Sequence, residues 1–276
     1  MKQLDGKIAV VTGASRGIGK GIALELGVAG ATVYVTGRTV DEAGSPLPGT
    51  VGATAEEVTQ LGGHGIPVPC DHGEDEQIEA LFARVREEQG RIDILVNNVF
   101  TAPGQSIFGG SFWDHPTSLW DDLFHVGCRA HYIASHAVAP MMVERKDGLI
   151  INISSFAGAA YVFNVVYGVG KAAVDRMAKD MAVELAPHQV TCVSFWPGVV
   201  RTERMEEMVK TDAVPFTIDK AETPRFTGRG VVALATDPKR LEKTGQALIV
   251  YEMAREYGFR DVDGNLPGEL KEQMGF

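Results

Sequence analysis

The sequence predicts an α/β fold, a doubly wound sheet of seven parallel strands with helices on both faces. Short runs rich in Val and Ile alternate along the chain with longer amphipathic segments, which is typical of a buried parallel sheet. A glycine-rich loop at residues 12–19 follows the first of these runs and opens a helical segment. The strands are expected at Ile8–Thr12, Thr32–Thr36, Gly65–Pro69, Ile92–Val96, Leu149–Ser154, Val190–Trp196 and Ala247–Val250.

Helical segments fall between these strands, because apolar side chains recur in them every three to four residues. A chain of 276 residues with no visible linker suits one domain, which we expect to occupy residues 1–250. The tail at 251–276 is expected to pack on or near that domain, and the segment at about 203–224 to form a lid. The helices are expected at Gly17–Ala29, Ala53–Leu61, Glu74–Gln89, Pro116–Arg145, Asn164–Ala186, Thr202–Lys210 and Pro224–Ala235.

The composition is that of an ordinary globular protein, with 45% apolar residues, 22% charged residues and a formal net charge of −10. This negative charge disfavours general binding to nucleic acid or to an anionic membrane surface. The three cysteines share no disulfide or metal-ligand spacing, and no spacing of His, Asp and Glu indicates a metal site. Because the sequence shows neither a leader segment nor a spanning apolar run, we expect a soluble, cytoplasmic protein.

Gly13, Gly17 and Gly19 lie between the first strand and the first helix. The start of a helix presents free N–H groups and the positive end of its dipole, which together attract phosphate. Glycines allow the backbone to turn tightly and to approach a pyrophosphate closely. The arrangement therefore predicts a Rossmann-type dinucleotide-binding domain in preference to a strand-to-helix turn without a ligand.

Two arginines indicate which dinucleotide is bound. Arg16 lies inside the glycine loop, and Arg38 follows the second predicted strand. Domains that bind NAD usually have an acidic residue at that second place, where it bonds the ribose hydroxyl. A guanidinium can instead bind a 2′-phosphate through two hydrogen bonds, so NADP(H) is the expected cofactor. The alternative is that both arginines are solvated surface residues.

Ser155, Tyr167 and Lys171 are the expected catalytic residues, in a segment that spans 154–171. Tyr167 and Lys171 lie four residues apart in a predicted helix, so their side chains project from one face. A free phenol titrates near pH ~10, too high for proton transfer around neutrality. The neighbouring ammonium is expected to lower the pKa of the phenol, which predicts Tyr167 as a general acid or base.

These motifs resemble those of the short-chain dehydrogenase/reductase family over about residues 7–250. The glycine loop, a serine three residues before Gly158, and the Tyr-x-x-x-Lys motif match the family pattern. So do the paired asparagines Asn97 and Asn98, and the Pro-Gly pair followed by Thr202. The resemblance implies that Asp71 contacts adenine and that Thr202 holds the carboxamide of the nicotinamide. The implied cofactor-binding residues are Gly13, Ser15, Arg16, Gly17, Ile18, Gly19, Arg38, Asp71, Asn97, Tyr167, Lys171, Pro197, Gly198, Val200 and Thr202.

Three features depart from the family pattern. Gly127 stands where the family usually has an asparagine that helps to hold a water molecule, so that water must be positioned otherwise or be lost. Phe100 replaces a small glycine in the fourth-strand motif and is expected to crowd or shape the cofactor site. Ser154 would satisfy the usual spacing to the catalytic tyrosine, whereas the position of Gly158 favours Ser155.

The expected activity is NADP(H)-dependent carbonyl reduction on an apolar substrate, with Tyr167 as general acid/base. Two other functions stay open: a catalytically impaired protein that senses redox state by binding NADP(H), and an isomerase or dehydratase that uses the same site. The helices at 116–145 and 164–186 resemble those through which the family forms dimers and tetramers, so a homo-oligomer is expected. Substrate contacts are expected from an aromatic loop at 101–115 and from the catalytic segment, at Trp113, Phe156, Tyr161 and Phe163.

Overall fold

The computed structural model describes residues 1–43, 45–101, 110–210, 218–219 and 221–268. The strands are β1 Ile8–Val11, β2 Thr32–Gly37, β3 His64–Pro69, β4 Ile94–Asn97, β5 Gly148–Ile153, β6 Val190–Trp196 and β7 Ala247–Ile249. They form one sheet in the order β3-β2-β1-β4-β5-β6-β7, and every strand is parallel to its neighbours. The predicted seven-stranded parallel sheet is confirmed.

Helices cover both faces of this sheet. Among the described helices, none combines the length and the apolar character needed to span a bilayer. Short 3₁₀ turns occur at Phe156–Gly158, Ala186–His188 and Arg240–Lys243. The α-helices are α1 Gly17–Val28, α2 Val51–Gln60, α3 Asp75–Gln89, α4 Ser118–Phe124, α5 Ala130–Arg145, α6 Val165–Leu185, α7 Glu203–Lys210, α8 Pro224–Thr236 and α9 Val250–Tyr257.

The segment predicted as one helix at 116–145 is divided in the structure. A π-helical turn at His125–Arg129 separates α4 from α5. Such a turn holds one more residue than an α-helical turn, and π-turns occur frequently at functional sites. The apolar periodicity of the sequence could not reveal it, because one inserted residue barely changes the pattern.

The tail begins with a helix that the sequence analysis did not predict. Val250, expected to end the last strand, instead begins α9, and Met253 and Ala254 of this helix are buried in the core. Phe259 packs against Phe226 of α8 with ring centroids 5.3 Å apart. The pattern is weak because α9 has only eight residues, and the turn signals that follow it dominate the tail. Residues 269–276 lie outside the described part of the chain.

Two further predictions fall partly outside the described residues. Residues 102–109 of the aromatic loop lie outside the described part of the chain. So do residues 211–217 and 220 of the predicted lid. The described part of that lid begins with α7 and ends with a parallel bridge between Val200 and Glu222.

The core consists of two apolar layers, one on each face of the sheet. Successive side chains of a strand point to opposite faces. Val10 of β1 therefore lies in the layer beneath α3, α5 and α6, whereas its neighbours Ala9 and Val11 lie in the layer beneath α1, α2 and α8. This burial on both faces explains why the central strands β1 and β4 are nearly continuous apolar runs, whereas the edge strand β3 is largely exposed.

The strand order reverses between β1 and β4, and open parallel sheets bind ligands beyond the carboxyl ends of their strands at such a point. Thr12 joins the two loops that leave these strands. Its Oγ1 accepts hydrogen bonds from the backbone N–H groups of Asn98 at 2.9 Å and Val99 at 3.0 Å. The loop after β1 is thereby fixed against the loop after β4, and a cleft forms above them.

A cluster of charges lies at the opposite, amino ends of the strands. Asp93 is 3% exposed at its side chain and accepts a hydrogen bond from the Ile8 N–H at 2.8 Å. Three cations surround the carboxylate: Lys7 Nζ at 3.3 Å, Arg91 Nη2 at 2.6 Å and Arg145 Nη2 at 2.9 Å. Burial alone would raise the pKa of Asp93, but these donors together hold that pKa below its usual value.

Candidate active site

A cleft of ≈ 340 Å³ opens at the carboxyl ends of β1, β4 and β5. A larger groove of ≈ 580 Å³ runs along α1, α8 and α9, but its buried Glu25 is paired with Arg225 and Arg229, and none of the predicted site residues lines it. The cleft at the strand ends is therefore the candidate site. The predicted residues that line it are Gly13, Ser15, Arg16, Gly17, Ile18, Arg38, Asp71, Tyr167, Lys171 and Thr202.

The glycine loop has the conformation that the sequence required. Gly13 and Gly17 have φ angles of 65° and 56°, which residues with a side chain rarely adopt. A Cβ on Gly13 would lie 2.7 Å from Val99 Cα, so this position also permits a close approach of the two loops. Gly19 lies behind the loop, where a Cβ would collide with the Gly13 carbonyl oxygen. The first N–H groups of α1 consequently face the cleft.

An internal carboxylate already lies at the start of α1. The Gly17 N–H donates a hydrogen bond to Glu203 Oε2 at 2.9 Å, although the two residues are 186 positions apart in the chain. Glu203 is the first residue of α7 and lines the cleft beside Thr202. Because a helix N-terminus favours negative charge, Glu203 satisfies the same group that would bind a phosphate.

Arg16 holds a neighbouring loop. Its Nε donates to the Pro48 carbonyl oxygen at 2.9 Å, and its Nη2 donates to Ser45 Oγ at 3.1 Å and to the Gly49 carbonyl oxygen at 2.8 Å. The sequence predicted that Arg16 binds the cofactor. The structure places its guanidinium at the edge of the cleft, where it fastens the loop at 45–49 to the glycine loop.

Arg38 has a more open position than Arg16. Its side chain is 69% exposed, and its Nη1 lies 3.9 Å from Asp71 Oδ2. Asp71 in turn accepts the Gly73 N–H at 2.9 Å, so this carboxylate is fixed where β3 ends. The cleft thus has a guanidinium and a carboxylate side by side at the end that lies over β2 and β3.

The start of α6 determines where Tyr167 and Lys171 lie. Asn164 is the N-cap, and its side-chain oxygen accepts the Tyr167 N–H at 2.9 Å. Phe163, just before the cap, has a φ of 65°, a strained conformation that makes the chain turn sharply into the helix. Tyr167 and Lys171 then follow on one face of the first two turns and point into the cleft.

Three polar groups meet at this face. The Ser155 hydroxyl is hydrogen-bonded with the Tyr167 phenol. The Lys171 Nζ donates to the Ile153 carbonyl oxygen at 3.1 Å and lies 5.8 Å from the centroid of the Tyr167 ring. Ser154 Oγ instead donates to the Lys171 carbonyl oxygen at 3.2 Å. Of the two adjacent serines, the geometry brings Ser155 to the phenol and directs Ser154 to the helix backbone.

The pKa values of Tyr167 and Lys171 differ from the expectation. Burial raises the pKa of Tyr167, and the hydrogen bond from Ser155 opposes this effect. Burial also lowers the pKa of the Lys171 ammonium to about 8, while Asp175 favours its charged form. The pKa of Tyr167 was expected to be lowered by Lys171, but it is raised: burial is the largest cause, and the Lys171 ammonium, which is directed to the Ile153 carbonyl oxygen, is not among the groups that shift it. Tyr167 is therefore protonated at neutral pH.

Of the two paired asparagines, Asn97 is buried in the interior and Asn98 lines the cleft. Asn97, expected to bind the cofactor, is fully buried, and its Nδ2 donates to Ser135 Oγ at 2.9 Å and to Asn152 Oδ1 at 3.0 Å. Asn98 lines the cleft, where its Nδ2 donates to the carbonyl oxygens of Thr12 at 2.8 Å and Gly13 at 3.0 Å. Because side chains alternate along a strand, only one of two successive residues can face the cleft.

The Pro197–Gly198 segment is held from behind by Glu222. The Glu222 side chain is fully buried, and its Oε1 accepts the Gly198 N–H at 3.2 Å and the Thr227 hydroxyl at 3.4 Å. Burial raises the pKa of Glu222 to about 8, so the carboxyl is largely protonated at neutral pH. Val200 is buried beside it, whereas Thr202 reaches the cleft.

The predicted substrate residues are not brought together. The Phe163 ring lies 5.3 Å from the Tyr167 ring and so borders the site. Phe156 packs edge to face against Trp196 at 6.0 Å. Tyr161 and Trp113 are 70% and 72% exposed, and their rings lie outside the residues that line the cleft.

Sequence reasoning missed His72, His131 and Glu203. His72 Nε2 lies 2.9 Å from Thr36 Oγ1, and His131 Nε2 lies 2.9 Å from the Val99 carbonyl oxygen. Burial lowers the pKa of His72 to about 4 and that of His131 to about 3, so both rings are neutral and support the strand ends. A single histidine in a turn or a helix gives no such signal, and nothing in the sequence around Glu203 indicates that its carboxylate reaches the glycine loop.

A parallel sheet with a glycine loop at its switch point, and a Tyr and Lys pair in the same cleft with Ser155 beside the tyrosine, defines a dinucleotide-binding oxidoreductase. Residues 7–213 match the family model described as short chain dehydrogenase. The chain belongs to the short-chain dehydrogenase/reductase family.

Within this family the chain is 47% identical over 274 residues to Dehydrogenase/reductase SDR family member 1 of Homo sapiens, covering 95% of this chain and 85% of that protein. The sequence segments at 120–122, 163–171 and 254–259 predict a resemblance to this branch, and the identity over nearly the whole chain confirms it. A metagenomic short-chain oxidoreductase in complex with NADP is 33% identical, with a TM-score of 0.72, covering 89% of this chain and 97% of that chain. A 7 alpha-hydroxysteroid dehydrogenase complexed with NADH and 7-oxo glycochenodeoxycholic acid is 27% identical, with a TM-score of 0.75, covering 89% and 93%.

Proposed function

We propose that the protein is an NADP(H)-dependent carbonyl reductase, an oxidoreductase that transfers hydride between the nicotinamide and a carbonyl or secondary alcohol on an apolar substrate. One observation supports this most strongly. The Tyr167 phenol, hydrogen-bonded with Ser155 and adjacent to Lys171, lies in the same cleft as the glycine loop and Arg38. An acid/base group and a phosphate-binding helix start thus face one space.

The residues of the cleft fit a phosphorylated dinucleotide. Gly13 and Gly17 allow the tight turn before α1, and a Cβ on them would lie 2.7 Å from Val99 Cα and 3.4 Å from Thr202 Cγ2, both residues of the cleft wall. Among relatives, one structure contains NADP and another NADH, so family membership leaves the choice open. The exposed guanidinium of Arg38 at the end of β2 supports NADP(H), because a 2′-phosphate would meet a cation there.

When bound, NADP(H) supplies or accepts the hydride, and the residues of the chain position and polarise the substrate. Ser155 and Tyr167 can bond the same carbonyl oxygen, since their hydroxyls already share a hydrogen bond. As negative charge develops on that oxygen, Tyr167 donates its phenolic proton to it. Lys171, held at the Ile153 carbonyl oxygen, stabilises the phenolate that remains. Because burial keeps the phenol protonated, the proton is in place at neutral pH.

The test is to follow the absorbance of NADPH and of NADH with a panel of ketones, aldehydes and quinones. The proposal expects turnover with NADPH and slower turnover with NADH. Tight NADPH binding without turnover of any carbonyl would favour the redox-sensor function. Conversion of a substrate with no net change in the cofactor would favour an isomerase or dehydratase.

Arg38→Ala is expected to weaken NADPH binding about 10- to 100-fold, the loss of a charge-assisted phosphate contact. The dissociation constant of NADH should change little, because NADH has no 2′-phosphate. Both constants can be measured by nucleotide fluorescence. Arg176→Ala, at an exposed arginine that pairs with Asp180 on α6, is the matched control. Equal weakening of NADPH and NADH binding would contradict the assignment.

Glu203→Gln is expected to strengthen NADPH binding about 3- to 10-fold, because it removes a negative charge from the start of α1 and keeps a side chain of similar size. The gain should also appear with 2′-phospho-ADP-ribose, which has the diphosphate, and be absent with 2′-AMP, which lacks it. Titration calorimetry with the two probes makes this comparison. Glu206→Gln, an exposed residue of the same helix, serves as control. An equal gain with both probes would show a general charge effect.

A further inference from the structure

Phe100 contacts two of the candidate catalytic residues. It follows β4 and lines the cleft. Its ring meets the Tyr167 ring edge to face, with centroids 5.8 Å apart and an interplanar angle of 79°. The Lys171 Nζ lies 5.0 Å from the centroid of the same ring. One aromatic side chain therefore lies against both the phenol and the ammonium.

Gly127 provides the space that this ring occupies. It is buried in the π-helical turn His125–Arg129, and a Cβ there would lie 3.0 Å from Cδ2 and 3.4 Å from Cε2 of Phe100. Contacts this short are tighter than ordinary packing, so a side chain at 127 would displace the ring. The large residue at 100 and the missing side chain at 127 are complementary.

The ring gives the Lys171 ammonium a favourable contact in a buried place. Lys171 is 8% exposed, and its Nζ donates to the Ile153 carbonyl oxygen at 3.1 Å. An ammonium has two further N–H groups, and a cation near an aromatic ring is attracted to it more strongly where water is excluded. This contact opposes the burial that lowers the pKa of Lys171 to about 8.

Titratable groups on three of the described elements interact electrostatically with Lys171. Asp175 lies one turn further along α6 and favours the charged amine. Cys128 belongs to the π-helical turn, and His131 belongs to α5. His131 is neutral, since burial lowers its pKa to about 3. Phe100 is not titratable, so its replacement by another apolar residue adds or removes no charge beside Lys171.

Building on the proposed role of Tyr167, we propose that Phe100 and Gly127 form a matched pair of positioning residues. The ring, seated on the bare backbone of Gly127, aligns the Tyr167 phenol with the Lys171 ammonium. Phe100 acts through these two residues and exchanges no proton itself. The two departures from the family pattern are thus one feature, in which each substitution makes room for the other.

Phe100→Leu tests the role of the ring, because leucine keeps an apolar side chain and removes the aromatic face. We expect kcat to fall about 10-fold or more, with less than about a 3-fold change in the NADPH dissociation constant. The alkaline limit of the kcat pH profile should move to lower pH by roughly half a unit, since the charged form of Lys171 loses a favourable contact. Phe100→Met replaces this variant if the leucine variant does not fold.

Gly127→Ala tests whether the Phe100 ring needs the space that the missing side chain at 127 provides. We expect kcat to fall about 10-fold, because the added methyl displaces Phe100. The double variant Phe100→Leu/Gly127→Ala should be no slower than Phe100→Leu alone, since the methyl no longer meets a ring. Gly52→Ala in α2 is the matched control, because a Cβ there would lie 3.8 Å from its nearest neighbour, Thr50 Oγ1. Losses that simply multiply in the double variant would overturn the pairing.

A second readout does not depend on turnover. Trace acetylation of Lys171 with acetic anhydride over a series of pH values, quantified by mass spectrometry, reports the pKa of its amine. A lower pKa in Phe100→Leu than in the wild type supports the pair, and an unchanged pKa refutes it. If the wild type reduces no carbonyl and the pKa still shifts, the proposed function fails while the contact between Phe100 and Lys171 stands.

Discussion

Tyr167→Phe is expected to reduce kcat for carbonyl reduction by about 10²- to 10⁴-fold, the usual contribution of a positioned proton donor. The substitution removes the hydroxyl that is hydrogen-bonded with Ser155. It keeps the ring, so the contacts with Phe100 at 5.8 Å and Phe163 at 5.3 Å persist. The fold and the affinity for NADPH should therefore be retained while turnover is lost.

The measurement compares initial rates of NADPH oxidation for wild type and variant, together with NADPH dissociation constants from fluorescence. Tyr132→Phe is the matched control, since it removes the same atom from a half-exposed ring that packs against His136 on α5. Turnover by Tyr167→Phe within about 3-fold of the wild type would exclude the phenol as the proton donor, because a donor contributes far more.

Asp93→Asn is expected to destabilise the protein by about 3–5 kcal/mol, the usual loss when one partner of a buried ion cluster is removed. The carboxylate is 3% exposed and accepts hydrogen bonds from Lys7, Arg91 and Arg145. Asparagine would leave these three cations close together without the negative charge that they share. Turnover per folded molecule should stay unchanged, because the cluster lies at the opposite ends of the strands from the cleft.

The loss of stability in Asp93→Asn should depend on pH. The folded pKa of Asp93 lies below its unfolded value, so its stabilisation is fully present above about pH 4 and is lost as the pH falls through the folded pKa. Urea unfolding at pH 7.5 and at acidic pH should therefore show a difference that narrows toward acid. Asp180→Asn, at an exposed pair with Arg176, should cost under about 1 kcal/mol. Equal losses for the two variants at pH 7.5 would contradict the role given to Asp93.

The sequence was sufficient to predict the sheet and the glycine loop. Strands buried on both faces read as continuous apolar runs, and only glycine suits the positive φ at Gly13 and Gly17. Local signals of this kind failed where the pattern was short or slightly irregular. The helix α9 has eight residues, and the π-helical turn at His125–Arg129 adds a single residue to the helical pattern.

The residues around the site were harder to predict, because their roles depend on contacts between distant segments. The spacing of Tyr167 and Lys171 fixed which helix face they share, but it could not show that the surroundings of the phenol raise its pKa. Nothing local to Glu203 indicates that its carboxylate meets Gly17, 186 residues away. Equally, the sequence indicated only that Gly127 lacks the asparagine side chain of the family pattern. The structure shows that the Phe100 ring lies against this glycine.

The three hydrogen bonds of Arg16 to the 45–49 loop bear on attempts to change the cofactor preference by design. A sequence alignment would present both arginines as equal targets for a switch from NADPH to NADH. Replacing Arg16 would remove the hydrogen bonds that hold the 45–49 loop against the glycine loop, and it would weaken the binding of either nucleotide. A redesign should therefore leave these hydrogen bonds intact and begin at Arg38, whose exposed side chain lies 3.9 Å from Asp71.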